Sequence, residues 1–461
     1  MQKKLWGGRF KKKIDSRFEK FSASLQWDRR LLPYDLLIDA AHVKALHKCG
    51  VLTSAESKKL LAAVAALQEA VARGSLKLDP HAEDVHSAVH AALFKKVGIL
   101  ADKLHTGRSR NDLVSQSSRL YCKEHAMTIH RLLLNLQEAI VLKAEETQDI
   151  FLPGMTHLQN AQVVSQAHIF LAYAEMLERS KARFILTEEV SDVCVLGSGA
   201  LAGVTFPLDQ KLLARELGLS KITPNSYDVS GDRDFILNFL SACTVLGTHL
   251  SRIAEDLMIA QVRGASLIEM DEAFCTGSSM MPQKKNADFA ELARSSVGVF
   301  AGNLTGFLLT LKGLPTSYNR DLQWDKGYLF DSVEVCEELV GIFIALIRTL
   351  RVNRQRAKEL LADETLYATD LADSLVQKGV PFKTAHEQAG RIVSFAESAG
   401  KPISKIGLDL LRSFAPKLDG SVYELFSPEH SVRLKKTIGS THPARVQFEI
   451  GSWKKKLRAN R

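Results

Sequence analysis

The sequence predicts an all-α protein built on long helices, and three features predict it. Gly and Pro are absent from Leu113 to Leu152 and again from Met155 to Leu196, so each run has room for a helix or broken helix of ~60 Å at 1.5 Å per residue. Apolar residues recur at helical spacing: after Thr53, Leu60, Leu61, Val64, Leu67 and Val71 share a face, with Thr53 and Glu56 as a capping box and Gly74 as the stop. Alternating strand patterns are almost absent. Helices this long imply a bundle or an oligomer core.

Taken in order, residues 1–104 mix short helices with polar loops. Residues 105–355 hold the long runs, with further helical pattern over Asp232–Val245, Thr248–Arg263, Ala287–Val297 and most of Tyr328–Val376. Residues 356–461 return to short amphipathic helices broken by Pro402, Pro416, Pro428 and Pro443. The expected division is therefore three domains, with a long central bundle and β structure only as small pieces in loops.

Bulk properties narrow the function. The 461 residues are 46% hydrophobic and 25% charged, which suits a globular protein with a sizeable core. The net charge of +9 sits partly at the ends, in Lys11 to Lys13 and in Lys454 to Lys456, Arg458 and Arg461. No aromatic residues interleave with these as a base-stacking surface needs, so no nucleic-acid partner is expected; the positive field suits a polyanionic small molecule. Cys49, Cys122, Cys194, Cys243, Cys275 and Cys336 sit at no zinc or redox spacing, which reads as reduced thiols in a cytoplasmic protein. The first residues have no apolar signal core, and no run reaches membrane-spanning length.

Two separated stretches carry the chemistry. Gly277 to Asn286 is a Gly/Ser-rich loop holding Ser278, Ser279, Lys284, Lys285 and Asn286. Its backbone N–H groups and Lys284 suit an oxyanion, and a loop of this kind closes over a substrate. Asn286 is placed to cap the following helix, which carries Glu291. Gly154 to Gln159 puts Thr156 and His157 after Pro153 and Gly154, read as the first turn of a helix, where N–H donors favour anions. Glu291 would orient or charge-balance His157 where the two helices meet. Thr106 to Asp112 sets Arg108 and Arg110 beside Ser109 and Asn111, the forks that bidentate carboxylate recognition needs; Asn111 or Asp112 also suits a helix cap. Tyr318 to Lys326 is a second dense polar–aromatic stretch.

Two motifs point elsewhere. Gly197 to Gly203 has the wrong spacing and no surrounding βαβ pattern for a dinucleotide loop. It reads as a connection between helices. His86 and His90 lie four apart, but no third ligand is evident, so no metal is expected.

Together these stretches resemble the argininosuccinate lyase family of the aspartase/fumarase superfamily. The resemblance rests on Leu5 to Phe10, Glu83 to His86, Thr106 to Asp112, Thr156 to Gln159, Gly197 to Gly203, Gly277 to Asn286 and Tyr318 to Lys326, in that order along nearly the whole chain. The Ser278 to Asn286 pattern is superfamily-wide; Leu5 to Phe10 and Thr106 to Asp112 are more specific.

The resemblance implies an all-α, three-domain subunit whose central helices assemble into a homotetramer, with active sites shared between subunits. It implies reversible β-elimination of argininosuccinate to arginine and fumarate, the last step of arginine biosynthesis, with no cofactor. Ser278 would take the Cβ proton, with Ser279 the fallback. Lys284 and Asn286 would stabilise the carbanion. Thr156 and His157 would lie on the acid side, His157 paired with Glu291. Ser24, Ser109, Arg110, Asn111, Tyr318, Gln323 and Lys326 would hold the charged ends of the substrate, with His86 near the site and Arg233 near the bound anion.

The chain departs from the family pattern at His90, Leu113, Asn160, Val163, Ala287 and Trp324, none of them a proposed catalytic group. Two other readings remain: a lyase for a different fumarate adduct such as aspartate or adenylosuccinate, and a non-catalytic, crystallin-like protein of the same fold.

Overall fold

The computed structural model describes Lys12 and residues 14–460, so the Leu5 to Phe10 stretch lies outside the described residues. Helices dominate, and the strands among the described residues form three two-stranded pairs. The residues cluster into two compact units, each drawn from three parts of the chain. One comprises Met1–Ile129, Ala182–Thr244 and Gly298–Val335; the other comprises His130–Lys181, Val245–Val297 and Cys336–Arg461.

In the first unit, Leu32–Lys48 packs on Ser54–Ala72 and Val85–Val97. The capping box forms as the sequence predicts: Glu56 N–H donates to Thr53 Oγ1 and Thr53 N–H donates to Glu56 Oε2 at 2.9 Å. Leu60, Val64 and Leu67 are buried against the neighbouring helices. In the second unit a C-terminal core gathers Leu371, Leu375, Ala389, Ile392, Leu411 and Val422. Three of the prolines sit at element starts: Pro402 before Ile403–Lys405, and Pro428 and Pro443 opening Pro428–Arg433 and Pro443–Ala459. There the missing N–H costs nothing.

The long helices are Arg110–Glu146 of 37 residues, Gln166–Ser191 of 26, Asp234–Gln261 of 28 and Asp325–Thr349 of 25. The first spans ~55 Å at 1.5 Å per residue. Several boundaries differ from expectation. Asp232–Val245 and Thr248–Arg263 are one helix, because Gly247 is tolerated inside a helix for a cost of about 1 kcal/mol that burial of Phe239, Leu246, Leu250 and Ile253 offsets. After Thr349 the chain turns, and Arg351–Val352 pairs antiparallel with Ile268–Glu269 before helices resume.

The largest correction falls on Met155–Leu196. Phe151–Thr156 and Gln159–Ser165 form an antiparallel hairpin, and the helix starts only at Gln166. The cause is local. His157 and Leu158 take φ of 53° and 59°, the two left-handed residues of a hairpin turn whose twist matches its strands. Gly154 lets the strands close, since a Cβ there would meet Val164 Cγ1 at 3.0 Å.

Candidate active site

The first set of site residues lies in the second unit. Thr156 ends one hairpin strand, paired with Gln159, and His157 begins the turn. His157 is therefore at an exposed hairpin tip, not in the first turn of a helix. The positive helix end invoked from sequence does not act on it.

The Gly277 to Asn286 loop is tied at its neck. Thr276 and Asn286 form a β-bridge, with Asn286 N–H donating to Thr276 O at 2.8 Å and Thr276 N–H to Asn286 O at 3.2 Å. Asp288 accepts from Thr276 N–H at 2.9 Å and from Thr276 Oγ1 at 2.7 Å. Those hydrogen bonds, the hydroxyl's foremost, hold the Asp288 carboxyl below its usual range. Asn286 thus braces the neck and does not cap the helix: the cap position of Asp288–Ser295 is Ala287, with no side-chain bond.

Within the loop, Ser278 Oγ accepts from the backbone N–H of Met281 at 3.1 Å and of Met280 at 3.3 Å. Two N–H donors on one hydroxyl oxygen favour its negative form. Lys285 pairs with Glu269 at 3.3 Å. Lys284 is exposed, with its backbone N–H donating to Met281 O at 3.1 Å. Glu291 is an exposed residue of Asp288–Ser295, and no hydrogen bond or ion pair joins it to His157 among the described residues of the chain.

The second set lies in the first unit and is largely buried. Arg233 Nε donates to Asp325 Oδ2 at 2.8 Å, and Lys326 Nζ lies 3.0 Å from Asp325 Oδ1 and 3.9 Å from Asp28 Oδ1. Ser24 Oγ donates to Asp28 Oδ2. Burial acts against the charge of Asp325, but Lys326 and Arg233 outweigh it and lower its pKa. Burial likewise opposes Lys326, yet Asp325 and Asp28 raise it, so it stays a cation. Asp28 is raised, chiefly by burial. Arg119 pairs with Asp232, next to Arg233.

Around the start of Arg110–Glu146, Ser109 supplies the cap: its Oγ accepts from Asn111 N–H at 3.2 Å. Asp112 accepts from Ser109 N–H at 3.0 Å and from Gly199 N–H at 2.9 Å, and Asn111 Nδ2 donates to Ala200 O at 3.1 Å. The Gly197 to Gly203 segment is thus a connection between helices that braces this corner. Its flanking strands Val193–Cys194 and Lys221–Ile222 do pair in parallel around Gln210–Glu216, though each is only two residues long. Arg110 donates to Ser87 Oγ at 2.6 Å and lies 3.4 Å and 3.3 Å from Glu83 and Asp84. Gln323 Nε2 donates to Ser22 O at 2.8 Å, holding Arg320–Trp324 near Ser24. Tyr318 is half-buried beside Ser317, whose φ is 76°.

Sequence reasoning missed the acids that organise these cations: Asp28, Asp35, Asp39 and Asp325, all buried, and Asp232, half-buried. One signal was present. Asp35, Asp39 and His42 lie at i, i+4 and i+7 on Leu32–Lys48, all three buried. They form a polar stripe on a helix that also buries Leu36, Ile38 and Val43. Asp35 meets His86 at 2.7 Å and Asp39 meets Arg108 at 2.5 Å. Among the described residues no three His, Cys, Asp or Glu side chains gather as metal ligands.

A family model described as Lyase matches residues 8–302, and one described as Argininosuccinate lyase C-terminal matches residues 365–433. The chain is 43% identical to an argininosuccinate lyase of Caldanaerobacter subterraneus subsp. tengcongensis, over 95% of this chain and 99% of that protein. It is 41% identical to one from a Sulfurihydrogenibium species, over 99% of each. Among solved structures, EDDS lyase in complex with formate superposes with a TM-score of 0.84 at 27% identity, covering 96% of this chain and 88% of that one.

Proposed function

The chain belongs to the argininosuccinate lyase family, and from that premise we propose that it is a carbon–nitrogen lyase cleaving argininosuccinate reversibly to arginine and fumarate. The reaction is the final step of arginine biosynthesis.

The chemical problem is a carbon acid. Taking a proton from Cβ, beside a carboxylate, adds a second negative charge to that group. Most of the barrier must fall to fixed donors and cations around it. Ser278 is the base. A serine hydroxyl is a poor base unless its alkoxide is stabilised, and the observation that carries this reading is the pair of N–H donors, from Met280 and Met281, on Ser278 Oγ. Closure of the loop would exclude water and bring Lys284 and Asn286 against the charged carboxylate. The Cα–N bond then breaks, its electrons go to the guanidino nitrogen, and the new double bond is that of fumarate. A proton reaches the leaving nitrogen from the Thr156 and His157 side, with Glu291 supporting His157.

Ser24, Ser109, Arg110, Asn111, Tyr318, Gln323 and Lys326 hold the charged ends of the substrate, with His86 and Arg233 close by. The subunit has three domains, 1–104, 105–355 and 356–461. It works in the cytoplasm as a homotetramer, in which loop residues of one subunit complete an active site with polar residues of others. That arrangement accounts for a catalytic loop and hairpin tip that are exposed on the isolated chain.

The test is fumarate absorbance with a panel of argininosuccinate, adenylosuccinate and aspartate. Equimolar fumarate and arginine from the first alone support the reading. Release from another adduct reassigns the substrate, and a folded protein inert to all three supports the crystallin-like alternative.

A further inference from the structure

His86 is 4% exposed and Asp35 1%, and His86 Nδ1 lies 2.7 Å from Asp35 Oδ1. A ring nitrogen facing a carboxylate at that distance carries a proton. The other ring nitrogen, Nε2, is buried and has no hydrogen-bond partner among the described residues. A buried polar atom left unpaired is costly unless something binds it.

The charges facing the ring come from several elements. Asp35 and Asp39 stand on Leu32–Lys48, Asp28 on Leu25–Asp28, and Asp84 caps the helix of His86 itself. The basic groups that share these acids are Arg108, through Asp39, and Arg110, through Asp84, and His105 also interacts with the ring. Arg108 is held by Asp39 at 2.5 Å, and Arg110 is shared by Glu83 and Asp84. Burial opposes a charge on His86, but Asp35, Asp84 and Asp28 outweigh it and raise its pKa. Burial and Arg108 push His105 down to about 3, so it is neutral and does not compete.

We propose that Asp35 is a positioning residue: by accepting from His86 Nδ1–H it fixes the ring as a cation and presents Nε2–H to a carboxylate of the substrate. This rests on the lyase reading above. It gives the polar stripe of Leu32–Lys48 one role: Asp35 and Asp39, a helical turn apart, each fix a cation contributed by a different segment, His86 and Arg108. Asp35 itself touches no substrate.

Asp35→Asn keeps the shape and an acceptor oxygen but removes the charge. In wild type, KM rises less between about pH 6 and about pH 8 than in Asp35→Asn, because Asp35, Asp84 and Asp28 hold the pKa of the ring up. In Asp35→Asn, KM rises about tenfold at about pH 8, the worth of a hydrogen bond from a charged donor, and recovers at about pH 6; kcat changes little, and Asp35→Glu recovers part of the loss. A KM equal to wild type at both pH values, or raised equally at both, overturns the proposal. Should Asp35→Asn not fold, His86→Gln serves: a raised KM with no recovery at low pH is expected, and an unchanged KM overturns it. A wild-type protein that turns over no argininosuccinate sinks the functional reading instead. The ring charge is then read from imidazole 15N shifts at about pH 8, protonated in wild type and neutral in Asp35→Asn; a neutral ring in wild type overturns the proposal.

Discussion

Gly231→Ala is the sharpest structural test of how the buried cations are held. A Cβ at position 231 would stand 2.4 Å from Ser317 O and 2.7 Å from Ser317 C. Cβ atoms essentially never approach closer than 3.0 Å, so the two backbones must separate by at least about 0.6 Å. Neither side yields readily. Gly231 ends Ser226–Gly231, two residues before buried Arg233, and Ser317 already holds φ of 76°, where a side chain costs of order 1 kcal/mol. Asn319 Nδ2 fastens the same loop by donating to Pro315 O at 3.0 Å. Overpacking of this kind costs typically 1–3 kcal/mol. A misplacement approaching 1 Å at a positioning group costs up to about 100-fold in rate. The assay pairs urea denaturation with fumarate release from argininosuccinate. We expect Gly231→Ala to lose about 1–3 kcal/mol and at least tenfold in kcat/KM. The matched control is Gly390→Ala, on an exposed helical position where an added Cβ would meet nothing within 4 Å beyond its own helix among the described residues. It should gain about 0.5–1 kcal/mol. A Gly231→Ala protein with wild-type stability and rate would refute the claim that this backbone contact positions Arg233 and Tyr318.

Three further outcomes follow from the structure. Leu158→Gly should raise the denaturation midpoint by about 1 kcal/mol in stability, because Leu158 is 70% exposed and sits at φ of 59°, where glycine is unstrained; a loss would argue against the hairpin turn. Thr53→Ala should cost about 1 kcal/mol through its capping box, measured the same way. His42 donates from Nε2 to Thr106 O at 3.0 Å, its buried Nδ1 has no partner among the described residues, and burial with Arg108 pushes its pKa down to about 3 from an ordinary 6.5. As pH falls the unfolded chain takes up that proton first. His42 therefore contributes fully above pH 6.5 and its contribution drains away toward pH 3, at about 1.4 kcal/mol per pH unit. The stability gap between wild type and His42→Asn should narrow as pH is lowered from about 7 to about 5; a constant gap would contradict the assignment.

The all-α class and the long helices were legible because they rest on short-range periodicity and on the absence of Gly and Pro. That same criterion misread residues 155–165. Absence of breakers does not distinguish a helix from a polar hairpin, and the turn uses His157 and Leu158 at positive φ where Asn-Gly would have announced it. Gly247 misled in the opposite direction, suggesting a break inside one helix. At the site, the motifs were legible because their residue types cluster within ten positions. Their buried partners were not: Asp35 and His86 are 51 residues apart, and Arg233 and Asp325 are 92 apart. Only tertiary packing joins them. The two N–H donors on Ser278 were equally invisible, since they depend on how the loop turns back at Met280 and Met281.

The central claim is that the hydroxyl of Ser278 removes the proton. The most direct measurement is fumarate release by purified Ser278→Ala, with its circular dichroism and assembly matched to wild type. We expect loss of about 100-fold to 10,000-fold in kcat, the range for removing a general base, while Ser279→Ala keeps most activity. A folded Ser278→Ala protein that releases fumarate at the wild-type rate would contradict it.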